Sequence, residues 1–453
     1  MVDDVEIAVV KDNNEEEDSS TMKMVEKHII KPGHEMWECI DTLCFKSKRL
    51  RNKANFIVRQ NYFSKKNHKV LMYEDSDKIF KNTKHPDLVE IYRDVPRATI
   101  SQQCLRQLDS EWKSFFKASK AYEKDSSKFK GKPKPPKYKK DKQTYIAILL
   151  KQEFKVFDKY VQLPSYLNDY KINFHNKGQL CQIRFIPCSN QVYKIELVFK
   201  VDLPKLIQTE DRFLAIDLGV DNLAAITTNI GTQPILLNGK DLKSVNQFYN
   251  KEISKCKSLL PMYKNGKQKS NSKHIQRLFT NRNNKIEARM HRYSKFVVDY
   301  AESNNIDTII IGYNKGWKQE IKGDSKTNQN FQQIPFLIFV KQIEYKAKLK
   351  GITVVRVNES YSSGTSFLDQ EPVKKKFYNK KRRIHRGLFQ TNQHLHINTD
   401  VNASLQIMKK YLQTLDKSYV VEGLQDMIST TISYALSPNK VTVDSRKAVN
   451  KLY

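Results

Sequence analysis

One aspartate, Asp217, stands inside an apolar run, FLAIDLGVDNLAAIT at residues 213–227. The run predicts a buried strand around Asp217, and Gly219 allows a tight turn into the next strand. An ionised carboxylate among apolar neighbours is costly unless its charge is compensated, and a bound divalent cation is one efficient way to do so. The alternative is that Asp217 only helps to form the turn before Gly219.

Two more acids occupy positions that suit the same site. Glu359 ends the predicted strand ITVVRVNE (352–359), where open α/β sheets place their ligand sites. Asp400 directly precedes the predicted helix VNASLQIMKKY (401–411), whose positive end favours a carboxylate. Each also has an ordinary explanation, because glutamate is common at strand ends and aspartate is a common N-cap. Together, the three acids can bring hard oxygen ligands onto two metal ions about 3.5–4 Å apart, as two-metal phosphodiester hydrolysis requires.

The net charge points to a polyanionic partner. The 453 residues include 80 Lys and Arg against 49 Asp and Glu, a formal charge of +31. Residues 1–20 contribute −7, so the remainder carries +38. Nucleic acid is the first candidate for such a chain. We expect an intracellular protein without a membrane partner, because there is no long apolar run, no signal peptide and no CxxC pair among the six cysteines.

The pattern of apolar residues changes along the chain. The first 200 residues predict two long helices, near 35–62 and 99–120, and a series of short strands over 143–202 that we expect to form a small β-barrel. After residue 212, strands alternate with helices, which predicts an α/β domain. The predicted domains are a disordered acidic tail (1–22), the barrel (23–34 and 126–205), a helical insertion (35–125), the α/β domain (206–411) and a C-terminal tail (412–453).

Several long motifs resemble one known family. AIDLGVDNLAAI, LNGKDLKSVNQFYNK, IIIGYNKGWKQ, NQNFQQIPF, NESYSSGTSFLD and NTDVNASLQI closely resemble the nuclease half of TnpB. TnpB proteins are transposon-encoded, RNA-guided nucleases; Fanzor proteins belong to the same family, and type V CRISPR effectors are related to it. VEKHIIKPGHEMWECIDTLCFKSKRLRNKANFIVRQ and ISQQCLRQLDSEWKSFF also look like TnpB. The resemblance covers roughly residues 22–410.

The resemblance implies a fold and a function. The fold is multidomain α/β, with an RNase-H-like (RuvC) nuclease domain and a wedge β-barrel that carries a helical recognition insertion. Asp217, Glu359 and Asp400 would be the catalytic residues and the ligands of two Mg²⁺ or Mn²⁺ ions. The protein would be an RNA-guided DNA endonuclease of a transposable element, cutting next to a short adjacent motif. Its partners would be a guide RNA from the element's end and double-stranded target DNA, with one protein chain per ribonucleoprotein.

Ten further residues are candidates for nucleic-acid contacts. Four are polar residues of the predicted long helices, in the insertion that reads the adjacent motif in family members; six lie in two basic runs, near 128–142 and 374–386. Exposed helix faces and solvated basic loops are the ordinary alternatives. The ten residues are Asn52, Asn55, Gln102, Gln103, Lys132, Lys134, Lys137, Arg382, Arg383 and Arg386.

The basic runs also suit nuclear localisation signals. Together with the acidic extension, they favour a Fanzor-like eukaryotic or viral protein located in the nucleus. Lysine- and asparagine-rich composition also fits a bacterial protein from an A+T-rich genome, located in the cytoplasm or nucleoid.

The sequence departs from the family in one segment. Many members carry a four-cysteine zinc ribbon between the glutamate and the final aspartate, but residues 360–399 contain no cysteine. His385, His394 and His396 do not supply four zinc ligands at ordinary spacing. We therefore predict a zinc-free lid over 360–399 and no structural zinc.

Two other functions stay open. One is a guide-directed DNA-binding repressor that has lost cleavage, against which the intact acidic triad argues. The other is a transposase that joins DNA ends without RNA, which the TnpB-like motifs make less favoured.

Overall fold

The computed structural model describes residues 6–9, 20–64, 71–207, 211–261, 271–314, 325–385, 387–417, 420, 422–424 and 438–443. The chain divides into two units, Met1–Asp202 and Leu203–Tyr453. In these described ranges, no helix has both the length and the apolar composition needed to cross a membrane.

The first unit combines helices with two antiparallel sheets. Its strands and helices, in chain order, are β1 (Glu6–Val9), β2 (Thr21–Ile30), α1 (Trp37–Phe63), α2 (Tyr73–Lys81), α3 (Pro86–Asp94), α4 (Ala98–Lys124), β3 (Ala147–Leu150), β4 (Lys155–Val156), β5 (Tyr160–Gln162), β6 (Lys171–Asn173), β7 (Gln179–Pro187) and β8 (Tyr193–Asp202). The larger sheet has the order β1-β2-β8-β7-β3, and β4-β5-β6 form the smaller one. One hydrophobic core joins both sheets to the helices.

Two predictions for this unit differ from the structure. The described strands form two separate sheets, not one closed, hydrogen-bonded barrel. The tail predicted as disordered over 1–22 is corrected at residues 6–9, which pair antiparallel with β2, and at the start of β2. The physical reason is that the edge of β2 offers unpaired backbone groups and EIAV has strand-forming residues. The rest of that predicted tail before residue 20 lies outside the described residues.

A lysine- and proline-rich segment, residues 129–142 and here called the strap, runs alongside α1. Polar side chains of α1 bind its backbone. The Asn52 side chain exchanges two hydrogen bonds with the Lys139 backbone, both 2.9 Å long, and Arg51 donates one of 2.7 Å to the Lys137 carbonyl. Since prolines prevent the strap from forming a helix, these bonds satisfy backbone groups that no regular structure pairs.

Asn55 is the most buried of these anchors, with no exposed surface. It donates to the Pro136 carbonyl at 3.1 Å and accepts from the Trp112 indole at 3.1 Å. It therefore joins α1, the strap and α4 in one place.

The second unit contains a mixed sheet, helices and a small lid sheet. Its elements are β9 (Phe213–Leu218), β10 (Asn222–Thr228), β11 (Ile235–Asn238), α5 (Lys240–Ser258), α6 (Lys273–Ser303), β12 (Thr308–Gly312), α7 (Ser325–Gln333), α8 (Phe336–Lys348), β13 (Thr353–Val357), β14 (Arg383–His385), β15 (Leu388–Gln390), β16 (His396–Asn398), α9 (Thr399–Thr414) and β17 (Asn439–Val441). The large sheet has the order β13-β12-β9-β10-β11-β17, and β14-β15-β16 form the lid sheet.

Strand directions define the large sheet. β10 is antiparallel to both β9 and β11, whereas β12 is parallel to β9 and to β13. β17 adds a parallel edge strand beside β11, so the predicted boundary at residue 411 is corrected: part of the C-terminal tail belongs to this sheet. Among the residues predicted as a tail over 412–453, only 412–417, 420, 422–424 and 438–443 are described.

Each face of the large sheet has its own core. Leu214 and Ile216 pack on one face with α6 and α8, while Phe213 and Ala215 pack on the other with α9 and the lid. Because side chains alternate along a strand, Asp217 belongs to the face that α9 covers.

We predict that Asn55→Ala destabilises the first unit by about 1–3 kcal/mol, because it leaves the buried Trp112 indole and the Pro136 carbonyl without partners. Urea unfolding measures the change. Gln60→Ala, at an exposed position of the same helix, is the matched control and should change stability little. Equal stability of the two variants would contradict a structural role for Asn55.

Candidate active site

Asp217 is placed by the register of the large sheet. It lies opposite Ala225 of β10, whose small side chain belongs to the core on the α9 side. The residue keeps some accessible surface, and no hydrogen bond to its carboxylate is found among the described residues. A carboxylate this poorly solvated needs either a proton or a cation.

Glu359 lies two residues beyond the end of β13, at the carboxyl edge of the parallel strands. Its Oε1 accepts from the Asn314 side chain at 3.4 Å, and the Glu359 amide donates to the Asn314 side-chain oxygen at 3.2 Å. Its Oε2 is buried without a hydrogen-bond partner. Asn314 thus orients the carboxylate and leaves one oxygen available as a ligand.

Gly312 makes room for that carboxylate. It is the last residue of β12, between β9 and β13 in the sheet. A Cβ at this position would lie 3.2 Å from Glu359 Oε2 and 2.4 Å from Ile407 Cδ1. The absence of a side chain therefore lets Glu359 and α9 approach the sheet.

Asp400 is in the first turn of α9. The Asn398 side chain caps this helix by accepting from the amides of Asp400 and Val401, so Asp400 itself is not the N-cap. Its Oδ2 accepts from the Asn222 side chain at 2.7 Å. One turn further along α9, the Ser404 hydroxyl donates to the Ala215 carbonyl at 3.0 Å. Ala215 lies two residues before Asp217 in β9, so this bond holds α9 against the strand that carries Asp217.

The three acids influence one another electrostatically. Burial raises the pKa of Asp217 well above its ordinary value, and the neighbouring Glu359 and Asp400 carboxylates raise it further. Burial also raises the pKa of Glu359, to about 7. Within the described ranges, however, no three His, Cys, Asp or Glu side chains lie close enough together to hold a metal ion as placed. The acids are brought together as neighbours, not as a closed set of ligands.

The donor set fits a hard divalent cation. All three acids offer carboxylate oxygens, which Mg²⁺ and Mn²⁺ prefer, and Glu359 Oε2 has no other partner. Asn222 and Asn314, which orient Asp400 and Glu359, were not among the sequence-predicted site residues. Only the resemblance of their flanking motifs to family motifs pointed toward this region.

Arg383 is a cation of the lid that lies close to Asp400. Its Nη2 is 4.0 Å from Asp400 Oδ1, and its charge lowers the pKa of Asp217 in opposition to the larger effects of burial and the other acids. Its side chain is 44% exposed.

The adjacent Arg382 is used differently. It forms a two-pronged ion pair with Glu371, with N–O distances of 2.6 and 2.7 Å, and also donates to the Asn392 side chain at 2.6 Å. Glu371 in addition accepts from the Ser366 amide at 2.8 Å. Although burial opposes the charge of Glu371, the hydrogen bonds from Arg382 and Ser366 lower its pKa overall.

This polar network holds the described part of the lid together. A second set of bonds ties the lid to α9: Asn402 accepts from the Phe367 amide at 2.9 Å and donates to the Thr365 carbonyl at 2.8 Å. The lid and the helix that carries Asp400 therefore form one packed structure.

The other predicted contact residues are distributed over the first unit and the lid. Asn52 and Asn55 bind the strap, Gln102 is hydrogen-bonded to the Tyr92 hydroxyl, and Gln103 is half-buried. The side chains of Lys132, Lys134 and Lys137 are exposed. Arg386 lies outside the described residues. Asn52, Asn55 and Arg382 each have hydrogen-bond partners within the protein.

Comparisons with known proteins identify two family models. Residues 197–318 match the OrfB_IS605 family, described as a probable transposase, and residues 336–407 match the Cas12f1-like TNB domain. No curated protein matches the chain.

Solved structures give a likeness of the fold. A cryo-EM structure of a Cas12f1–sgRNA–target DNA complex matches with a TM-score of 0.50 and 14% identity, over 83% of this chain and 82% of that one. A CRISPR-Cas12f ternary complex matches with a TM-score of 0.36 and 15% identity, over 82% of this chain and 81% of that one. The first likeness concerns the fold alone, while the two family models, which match residues 197–318 and 336–407, support the resemblance to TnpB that the sequence motifs indicated.

We predict that Gly312→Ala destabilises the second unit by about 1–3 kcal/mol, because the new methyl group displaces Ile407 and crowds Glu359. Thermal unfolding measures the effect. Gly131→Ala is the control, since its Cβ meets no atom within 4 Å. Tolerance of alanine at 312 would contradict the close packing described.

We predict that Arg382→Met lowers stability by about 3 kcal/mol near pH 7, because it leaves Glu371 buried and unpaired. The folded pKa of Glu371 lies below its ordinary value of 4.5, so the pair stabilises the protein above that pH and the contribution is lost as pH falls through the lowered pKa. Unfolding midpoints between pH 3 and 7 should therefore fall more steeply for the wild type than for Arg382→Met.

Arg383→Met is the matched control for this lid prediction, because the neighbouring arginine is largely exposed and should contribute little stability. A zinc chelator should leave the midpoint of the wild-type protein unchanged. Loss of stability on chelation would overturn the prediction of a zinc-free lid.

Proposed function

We propose that this protein is an RNA-guided DNA endonuclease of a transposable element, with its active site at Asp217, Glu359 and Asp400. The single observation that carries the proposal is the placement of these acids on adjoining elements: Asp217 near the end of β9, Glu359 against Gly312 of the neighbouring β12, and Asp400 in the first turn of α9, which is hydrogen-bonded to β9. Two acids lie at the carboxyl edge of the sheet and one in the first turn of a helix, in the order expected from the family motifs.

The topology supports an RNase-H-like (RuvC) nuclease domain. Three antiparallel strands, β9 to β11, are followed by β12 and β13, which extend the sheet on the other side of β9. This puts the first strand in the centre of the sheet. Asp217 consequently lies beside the ends of β12 and β13, where a ligand site of a mixed α/β sheet is expected.

The residues suggest how the site would work. Asp217, Glu359 and Asp400 would hold two Mg²⁺ or Mn²⁺ ions, which when bound activate water and stabilise the leaving 3′ oxygen. Asn314 and Asn222 orient Glu359 and Asp400, and Arg383 lies where it can bind a phosphate of the DNA strand. The low solvation of Asp217 and Glu359 strengthens their attraction for cations.

The partners in this proposal are a guide RNA and double-stranded target DNA. The matched Cas12f1 structure is a complex with an sgRNA and target DNA. The charge of +31 supports binding of such polyanions by this chain. Pairing with the guide would select the sequence, while the protein reads the short adjacent motif. Location in the nucleus of a eukaryotic host stays a prediction.

The test is to purify the protein from its native locus, sequence the RNA that copurifies, and assay a DNA library with Mg²⁺. A defined RNA and cleavage beside a common short motif would support the proposal. RNA-dependent target binding without cleavage would support the repressor, and a protein that carries no RNA would support the transposase.

We predict that Asp217→Asn and Glu359→Gln each slow cleavage about a thousandfold or more, while target binding stays within a few fold of the wild type. Gel-shift and cleavage assays separate the two properties. Glu344→Gln is the matched control, because Glu344 pairs with Arg356 away from the acid site and its loss should leave cleavage intact. Undiminished cleavage by Asp217→Asn would refute the assignment.

A further inference from the structure

An exposed row of aromatic side chains runs along α1. Phe45, Phe56 and Phe63 are 42%, 47% and 57% exposed. They are separated by 11 and 7 residues, which is about three and about two helical turns, so all three lie on one line of the helix surface. Large apolar side chains aligned on a protein surface indicate a binding partner.

The surroundings of this row are basic. Residues 42–73 contain nine Lys and Arg and no Asp or Glu, and residues 126–140 contain seven Lys and no acid. The acids that pair with cations of α1 come from α3 and α4: Asp94 pairs with Lys46 and Arg49, Asp87 with Lys53, and Glu111 with Arg51. All these pairs involve residues 46–53 of α1, so the Phe63 end keeps the stronger positive character.

At the Phe63 end, a cation is held beside two exposed rings. The Arg59 guanidinium carbon lies 5.3 Å from the centre of the Phe63 ring and 5.6 Å from that of Tyr138, which is 45% exposed. Arg59 also donates to the Pro136 carbonyl at 3.1 Å, which fixes its position. The three side chains, Arg59, Phe63 and Tyr138, form what is here called the aromatic platform.

The platform is built on rigid supports. The strap that carries Tyr138 is hydrogen-bonded to α1 on both sides of that residue, at Lys137 and Lys139. On the helix side, Tyr62 packs edge-on against the buried Trp112, with ring centres 5.4 Å apart, and contacts Phe63 at 4.9 Å. Rings that are fixed in advance lose little conformational entropy when a ligand binds.

We propose that the aromatic platform binds unpaired bases of the RNA in the ribonucleoprotein, with the exposed Lys134 and Lys137 neutralising adjacent phosphates. Aromatic rings and arginine stack on any base, and only an unpaired strand offers its base faces together with its phosphates. A second copy of the chain is disfavoured as the occupant, because it would bring two basic surfaces together. The identification of the strand as the guide RNA rests on the proposed function.

Binding of a short RNA tests the platform on the full chain freed of nucleic acid. The probe is a fluorescein-labelled, unstructured 12-nucleotide RNA, followed by anisotropy over a range of salt concentrations. The double variant Phe63→Leu, Tyr138→Leu keeps apolar volume but removes the rings, and should bind roughly 10- to 100-fold more weakly with an unchanged salt dependence. Lys134→Gln, Lys137→Gln should instead lower the slope of log K against log salt by about 1.4.

Two controls make the result specific. Phe157→Leu removes another exposed aromatic ring of the first unit, 41% exposed, and should leave binding unchanged. A 2-aminopurine base in the probe should lose fluorescence on the wild-type protein, as stacked bases do, but not on the ring-free variant. Thermal unfolding verifies that all variants are folded.

Unchanged RNA binding by the folded ring-free variant would overturn the proposal. A second contradicting result would be that the ring-free variant loses as much affinity for a blunt-ended duplex as for the short RNA, since a duplex hides its base faces. A third would be that the wild-type protein sediments as a dimer and the ring-free variant as a monomer. These outcomes are separate from the proposed function, because binding of the short RNA requires no cleavage. If the ring-free variant still cuts DNA and still binds the short RNA, only the proposal for the platform is refuted.

Discussion

The electrostatic cost of placing three carboxylates at one edge of a sheet governs much of the second unit. Asp217 and Glu359 both have raised pKa values, first because they are buried and, for Asp217, also because Glu359 and Asp400 are near. Burying like charges together lowers stability unless protons or cations compensate. The surrounding structure keeps the acids in place at this cost, since Gly312 provides the space and Ser404 fixes α9 against the sheet.

The lid lies beside these acids and is held together by its own ion pairs and hydrogen bonds. Arg382 is turned inward to Glu371, whereas Arg383 is turned toward Asp400. Two consecutive arginines of one basic run thus have different roles. Arg382 stabilises the packing of the lid, and Arg383 contributes positive charge beside the acids.

The sequence predicted the main elements of the second unit because apolar periodicity and motif order are strong there. The strand predicted around Asp217 is observed at Phe213–Leu218, and the helix predicted at 401–411 is part of Thr399–Thr414. Helices α2 and α3 were not predicted, because each is only nine residues long and mixes charged with apolar residues. Segments this short do not fill the window of roughly 11–18 residues over which helical periodicity is read, even when they are amphipathic.

Partners far apart in sequence could not be predicted. That Asn55 binds Pro136, or that Gly312 lies under Glu359, depends on how the chain folds back on itself. Polar residues of the long helix were interpreted as contacts to nucleic acid, while the structure gives Asn52 and Asn55 partners in the strap. A polar side chain on a helix face is equally suited to either role until the neighbouring segment is known.

The most direct test of the central claim is anomalous diffraction from crystals of the protein soaked with Mn²⁺. If Asp217, Glu359 and Asp400 form the catalytic metal site, manganese will bind between these three carboxylates, and Glu359→Gln will reduce its occupancy. Ordered manganese bound elsewhere, with the three carboxylates free of metal in a well-defined crystal, would contradict the account.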